Sequence, residues 1–261
     1  MIDDTMLAPS ILPEKFLIWN RVNGAPFGYA RPRYDFLHRF YSDECLQRIR
    51  GPFSIQGNST TRTYEYPWVY YAAELDAPKK IVEIGGSLSG LQFVLSREGH
   101  DVVNVDPGVG WLSDERSIRK LNSWYNASVT FKGTTISKAN LPDSYYDVFV
   151  SVSVLEHLSE DEILEIMEHA NRCLKPGGRF VITLDLFLNL EPFSRRKSNE
   201  WGRNQNVRWI VEISQMRLLS GERAELFGYP EFNSEAILSN LEKYYMGNYP
   251  VLAQCLVLER L

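Results

Sequence analysis

A cluster of small residues follows the first long apolar stretch: Val82-Glu83-Ile84 runs into Gly85-Gly86-Ser87-Leu88-Ser89-Gly90. Small side chains let a backbone approach a ligand closely, and a helix opening near Ser89 would aim unpaired N–H groups at it. Asp106 stands 21 residues after Gly85, at the end of the stretch Asp101–Val105. At that spacing a carboxylate accepts hydrogen bonds from ribose hydroxyls. The chemistry of this pair is nucleoside binding; the alternative is an ordinary turn beside an acidic loop residue. A nicotinamide enzyme shares the geometry, since Gly85-x-Ser87-x-x-Gly90 is a reduced form of its loop. No tyrosine in the chain has a lysine four residues later, which removes the Tyr–Lys pair of short-chain dehydrogenases.

Further candidates lie downstream. His157 follows an apolar run and has a near-neutral ordinary pKa, so it is the candidate general base. The alternative is a structural corner in Glu156-His157-Leu158, ahead of the Ser159 cap. Arginine is abundant in two places: seven Arg and no Lys lie between Arg21 and Arg62, and Arg195-Arg196-Lys197, Arg203 and Arg208 follow later. Arginine suits planar recognition of carboxylate or phosphate, so an anionic acceptor is one expectation. A solvated surface with paired acids is the other. Metal-assisted chemistry would need clustered carboxylates after the fourth and fifth strands, where Asp185 is the one acid read. No metal site is expected.

The elements that must position these residues begin at Lys80. Ile81–Ile84 reads as a buried strand, Ser89–Glu98 as a helix stopped by Gly99, and Asp101–Val105 as a strand. Ser113–Trp124 reads as a helix, and Val129–Lys132 and Asp147–Val152 as strands. Ser159 with Glu162 forms a capping box opening a helix to about Leu174. Pro176-Gly177-Gly178 stops it before the strand Arg179–Leu184. This alternation predicts a mostly parallel sheet with helices on both faces, and ligands at the carboxyl ends of its strands. Ahead of it, residues 1–66 form an aromatic and Arg-rich cap or lid, broken by Pro and Gly. Helices are expected near Arg33–Arg50 and from Pro67. Of 33 aromatic residues, 14 lie before residue 72, which marks this cap as the place for recognition or packing.

Composition excludes several classes. The 261 residues carry three cysteines and no CxxC spacing, against a disulfide framework or cysteine zinc site. No apolar run reaches membrane-span length, and the acidic start, Met1-Ile2-Asp3-Asp4, is not a secretory signal, so a cytoplasmic protein is expected. A net charge of −5 argues against a dedicated nucleic-acid partner.

Four motifs in order resemble class I S-adenosylmethionine-dependent methyltransferases, in their small-molecule branch. They are Val82-Glu83-Ile84-Gly85 with its loop; Val105-Asp106; Leu141–Asp147 running into Val154-Leu155-Glu156-His157-Leu158; and Leu174-Lys175-Pro176-Gly177-Gly178. The resemblance covers about residues 80–185. It implies a Rossmann-like, doubly wound α/β fold with seven strands, the last antiparallel, for which Val251–Leu258 is suited; residues 67–261 would be the S-adenosylmethionine-binding domain. It assigns Gly85, Gly86 and Ser87 to the methionine part of the cofactor, Glu83 to the loop or the amino group, and Asp106 to the ribose. Ser151 and Ser153 would sit beside the methionine. The family's acidic adenine partner has no counterpart in Phe131–Ile136, so adenine would rest on Thr135 and Ile136. Tyr66 would cover adenine or the sulfonium. Ser87 and Ser89 replace two family glycines, and a serine fits there if its backbone keeps φ below zero. The function implied is metal-independent methyl transfer to a small-molecule or glycan acceptor, at oxygen, by proximity and orientation. A non-catalytic binding protein on the same fold and an RNA or protein methyltransferase are the alternatives.

Overall fold

The computed structural model describes residues 6–27, 40–108, 114–219, 221 and 223–261. Its strands form where β-branched and aromatic residues run between turn residues. They are β1 (Lys80–Ile84), β2 (Asp101–Val105), β3 (Thr130–Lys132), β4 (Tyr146–Val152), β5 (Leu174–Phe187), β6 (Arg217–Leu218) and β7 (Val251–Glu259). They make one seven-stranded sheet in the order β3-β2-β1-β4-β5-β7-β6. The first five are parallel, and β7 runs antiparallel to β5 and β6. This is the mostly parallel sheet the alternation of elements predicts, and the Rossmann-like form the family resemblance implies, with the C-terminal apolar run as its reversed strand.

The helices are α1 (Glu14–Asn23), α2 (Asp43–Arg50), α3 (Arg62–Ala72), α4 (Gly90–Arg97), α5 (Glu115–Tyr125), α6 (Glu160–Cys173), α7 (Val207–Ser214) and α8 (Ser234–Leu238). Alternate strand residues face opposite layers. Ile81, Val102, Val148 and Val181 pack with α1, α3, α4 and α5, whereas Val82, Val103, Phe149 and Ile182 pack with α6 and α7. Strand order reverses between β1 and β4, so their carboxyl ends open the crevice where such sheets bind ligands.

Three local expectations need correction. The helix expected to start at Pro67 starts at Arg62, with Pro67 in its interior. The proline lacks the N–H that Thr63 C=O would accept, and Asn20 Nδ2 of α1 donates to that oxygen at 2.7 Å instead. The boundary drawn at residue 66 therefore falls inside a helix. Pro176-Gly177-Gly178 does not separate helix from strand: β5 already pairs through Leu174, and Lys175–Gly178 form a bulge before pairing resumes at Arg179. Of the helix expected over Arg33–Arg50, Asp43–Arg50 is formed behind a Ser42 cap, and residues 33–39 lie outside the described ones. The capping box of Ser159 and Glu162 is present as read.

Candidate active site

At the β1 end the loop is fastened from three sides. Gly85 has φ +65°, and a Cβ there would lie 2.6 Å from Val154 Cγ1 beyond β4. A Cβ on Gly86 would lie 2.8 Å from Glu83 Cδ and 3.0 Å from Asn104 Oδ1. Only glycine fits both positions. Asp106 accepts from Ser87 N–H through Oδ2 and from Gly108 N–H through Oδ1, both at 2.7 Å. Ser89 keeps a negative φ, −56°, and meets the condition set for a serine in this loop, whereas Ser87 adopts φ +45° and does not. The left-handed conformation, costly for a side-chain-bearing residue, is held because its C=O also accepts from Asn104 Nδ2 at 2.9 Å and Gln92 Nε2 at 3.1 Å. Asn104 and Gln92 were not singled out in the sequence; a polar residue inside each apolar stretch was their signal.

Glu83 lies behind this loop, 1 % exposed. Ser89 Oγ donates to its Oε1 at 2.6 Å, while Oε2 has no partner. Burial, foremost, and the charge of Asp106 push its carboxyl up to about 7.

A second polar cluster joins α3 to the ends of β4 and β5. Arg62 pairs with Glu65, and its Nη1 donates to Ser153 Oγ at 2.7 Å. Glu65 Oε1 accepts from Ser153 Oγ at 2.6 Å and Thr183 Oγ1 at 2.7 Å. Ser153, like Ser87, has a left-handed φ, +48°. Asp185 lies 3.3 Å from Ser153 Oγ and accepts from Tyr249 O–H at 2.9 Å. Glu156 Oε1 accepts from Asp185 N–H at 3.3 Å, and its Oε2 has no partner. Burial raises the Glu65 carboxyl, but Arg62 and the two hydroxyls outweigh it and hold it below the usual range. Burial and then Glu65 push Asp185 up to about 6. Burial and then Asp185 drive Glu156 well above the usual range. The reading of a single acid here is thus corrected: α3 and the turn after β4 bring two more carboxylates that strand order alone did not place.

Tyr66 sits on α3 beside both clusters, buried against Phe53 at 5.0 Å, its O–H donating to Asn58 Oδ1 at 2.9 Å. The segment before it covers the loop after β1: Gln56 Oε1 accepts from Leu88 N–H at 3.2 Å, and a Cβ on Gly90 would lie 2.5 Å from the Phe53 ring. Ser151 is buried with its hydroxyl unpartnered, level with Ile84 of β1. Thr135 is exposed, 3.1 Å from Ser137 Oγ, and Ile136 is buried in the core beyond β3. Neither is among the residues that fasten the β1 loop. His157 is exposed on a 3-10 turn, its N–H on Val154 O. Partial burial and Arg62 hold its ring below the ordinary value against an opposing bond to the Trp201 backbone. Of the arginines, Arg31, Arg33 and Arg39 lie outside the described residues. Arg203 donates to Leu158 O, Arg208 pairs with Glu212, and Arg62 enters the site already held by Glu65.

Residues 82–182 match the family model described as methyltransferase domain. The match runs from the first strand of the sheet into the fifth, and the fold is shared with S-adenosylmethionine-dependent methyltransferases. Among solved structures, the domain is similar to the 1,6-didemethyltoxoflavin-N1-methyltransferase of Burkholderia thailandensis, solved with 1,6-didemethyltoxoflavin and S-adenosylhomocysteine. Identity is 13 %, over 97 % of this chain and 94 % of that one, with a TM-score of 0.51. An S-adenosylmethionine-dependent methyltransferase from Mesorhizobium loti matches at 13 % identity over 75 % and 97 % of the two chains, TM-score 0.50. TehB from Haemophilus influenzae matches at 18 % identity, TM-score 0.47, over 74 % of this chain, which spans about three fifths (61 %) of TehB. A search of curated proteins finds no match.

The residues around the β1 loop fit S-adenosylmethionine by their chemistry. The Gly85–Gly86 cradle admits no Cβ, and the unpartnered acceptors Glu83 Oε2 and Asn104 Oδ1 flank Gly86. Buried acceptors without donors favour a ligand that brings N–H groups and positive charge. No helix of the described residues is long and apolar enough to cross a membrane.

Proposed function

We propose that this protein transfers a methyl group from S-adenosylmethionine to a small-molecule acceptor, at oxygen, chiefly by holding and orienting its reactants. The observation that carries the reading is the β1 loop: a glycine cradle, a buried carboxylate behind it and Asp106 beside it, at the crevice where strand order reverses. Glu83 would face the cofactor's ammonium, Gly85, Gly86 and Ser87 its methionine portion, and Asp106 its ribose. When bound, the cofactor supplies a methyl group on a sulfonium, a good leaving group, so alignment and exclusion of water do most of the work.

A hydroxyl acceptor carries a proton that must leave. Asp185 suits its removal better than His157: it is buried at the strand ends, is poised at about 6 and is oriented by Tyr249. The acceptor's proton would pass to its carboxylate. His157, on the exposed turn, is then a corner residue. Small-molecule acceptance by the toxoflavin enzyme is in keeping with this reading; glycan ends and anionic metabolites are acceptors to assay beside neutral ones.

Calorimetry with S-adenosylmethionine and S-adenosylhomocysteine is the direct test, and no binding by either would overturn the reading. Asp106→Ala should weaken binding by roughly 1–3 kcal/mol. Asp106→Asn, which keeps an acceptor oxygen for the loop, separates ribose contact from loop support. Unchanged affinity in both variants would remove Asp106 from the site.

A further inference from the structure

The cluster at the ends of β4 and β5 contains more acid than base. Arg62 faces three carboxylates, those of Glu65, Asp185 and Glu156, and all three are buried, with 0–4 % exposure. Glu65 consumes the guanidinium through a direct ion pair. Among the described residues the Asp185 carboxylate has hydroxyl partners, those of Ser153 and Tyr249, while its backbone N–H donates to Glu156 Oε1 and Glu156 Oε2 is unpartnered. An excess buried carboxylate is costly unless a positive charge comes to it or a proton neutralises it.

The chain also provides an aromatic wall leading to this place. Tyr249, whose hydroxyl binds Asp185, is stacked between Trp201 (5.8 Å, 14° between planes) and Phe187 (6.2 Å, 20°). Trp201 is 50 % exposed, so the wall runs from solvent to the carboxylates. The segment carrying Trp201 is held to the turn after β4, since Arg203 N–H donates to Glu156 O at 3.1 Å. Aromatic faces beside buried carboxylates favour organic cations, which combine positive charge with apolar surface. Among the described residues, no three His, Cys, Asp or Glu converge in a group that could hold a metal ion.

We propose that the Asp185–Glu156 carboxyls, with Arg62–Glu65 behind them and the Trp201–Tyr249 wall beside them, form a subsite for an organic cation whose binding displaces a proton from the carboxyls. The subsite deepens the methyltransferase reading by naming a charge requirement of its ligands. Two sources share this chemistry: an acceptor bearing an ammonium, and the sulfonium of the methyl donor itself.

The sign follows from linkage. A bound cation favours ionised carboxylate, so protons leave on binding and affinity rises with pH. The groups facing Asp185 are Arg62 and Glu65 from α3, Ser153 and Glu156 after β4, Thr183 on β5, and Tyr249 before β7. With Asp185 at about 6, the steepest change falls between pH 5 and 7, while Glu156 extends it upward.

The experiment is calorimetry on the full chain at pH 5.5 and 7.5, in buffers of differing ionisation enthalpy. S-adenosylmethionine and S-adenosylhomocysteine are titrated separately, then tetramethylammonium into the S-adenosylhomocysteine-loaded protein, with tryptophan emission as a second readout. If the donor's sulfonium is the cation, the affinity ratio of the two nucleosides shifts at least fivefold toward S-adenosylmethionine at the higher pH. Asp185→Asn or Tyr249→Phe flattens that shift. If the cation arrives with the acceptor, the ratio is constant and tetramethylammonium binds with proton release and quenches Trp201. Trp201→Ala then loses the quench and weakens binding. A pH-independent ratio together with no tetramethylammonium binding overturns the subsite. Failure of both nucleosides to bind would count against the methyltransferase reading alone, because tetramethylammonium can be titrated into the free protein.

Discussion

Glu83 has opposite effects on stability and on binding. Its carboxyl is raised to about 7, so the native state holds a proton that the unfolded chain releases near its ordinary value of 4.5. The native state thus binds more protons between those limits, and stability falls as pH rises through them, by roughly 3 kcal/mol in all. Glu83→Gln should therefore unfold at a higher temperature than wild type at pH 8 and match it near pH 4. The same variant should bind S-adenosylmethionine more weakly at pH 8, because it has lost the charge that faces an ammonium. A variant that neither gains thermal stability nor loses affinity would show that the buried carboxylate has no such role. Ser87 is a second residue-scale case. Its φ of +45° is a conformation glycine adopts freely, whereas β-branched residues pay about 1–2 kcal/mol or more. Ser87→Gly should be neutral or slightly stabilising in denaturant melts, and Ser87→Val clearly destabilising. Of the two serines in this loop, Ser89 meets the condition of a negative φ, at −56°, and Ser87 does not, because sequence shows residue type but not the hydrogen bonds from Gln92 and Asn104 that keep the turn in place.

The elements show how one side chain can complete another element. In α3, Pro67 leaves Thr63 C=O without its helical donor, and Asn20 of α1 supplies the bond. Asn20→Ala should cost about 1–3 kcal/mol. Pro67→Ala, which restores an N–H able to bond Thr63, should recover part of that loss, and a double-mutant cycle of chemical denaturation would show the coupling as non-additivity. Additive effects would mean the two residues act separately. The α4 start is a similar case. Gly90→Ala places a Cβ 2.5 Å from the Phe53 ring, displacing the Pro52–Ser54 turn that packs beside the loop after β1. A loss of about 1–3 kcal/mol is expected, with weaker nucleoside affinity, from thermal melts and calorimetry together. Proline and glycine marked both places in the sequence, but as a helix start and a small residue. Their partners, 47 and 37 positions earlier in the chain, were set by packing between elements.

At the scale of the whole molecule, the N-terminal aromatic residues share a core with the sheet. Trp19, Phe53, Tyr66 and Trp68 pack with Leu91, Val94, Val148 and Val181, so residues 6–72 are expected to unfold with the rest. Tryptophan emission and far-ultraviolet circular dichroism should give coincident denaturation curves, and a chain lacking residues 1–61 should be insoluble or unfolded. Separate transitions would instead mark the cap as an independent unit. The aromatic surplus of this region is thus largely interior, with Tyr66 placed where packing and the site meet. The sequence alone determined the alternation of strands and helices, the capping box and the grouping of Glu83, Gly85, Gly86, Ser87 and Asp106. Those features arise from local periodicity, turn chemistry and a strand–loop–helix unit whose parts are neighbours in the chain. Only the tertiary structure decided that Arg62, Glu65, Glu156, Asp185 and Tyr249 meet, and that His157 faces outward while Asp185 lies within. The reason is physical: those residues come from four separate segments, and their burial, charge balance and proton affinity exist only once α3 is laid across the ends of β4 and β5.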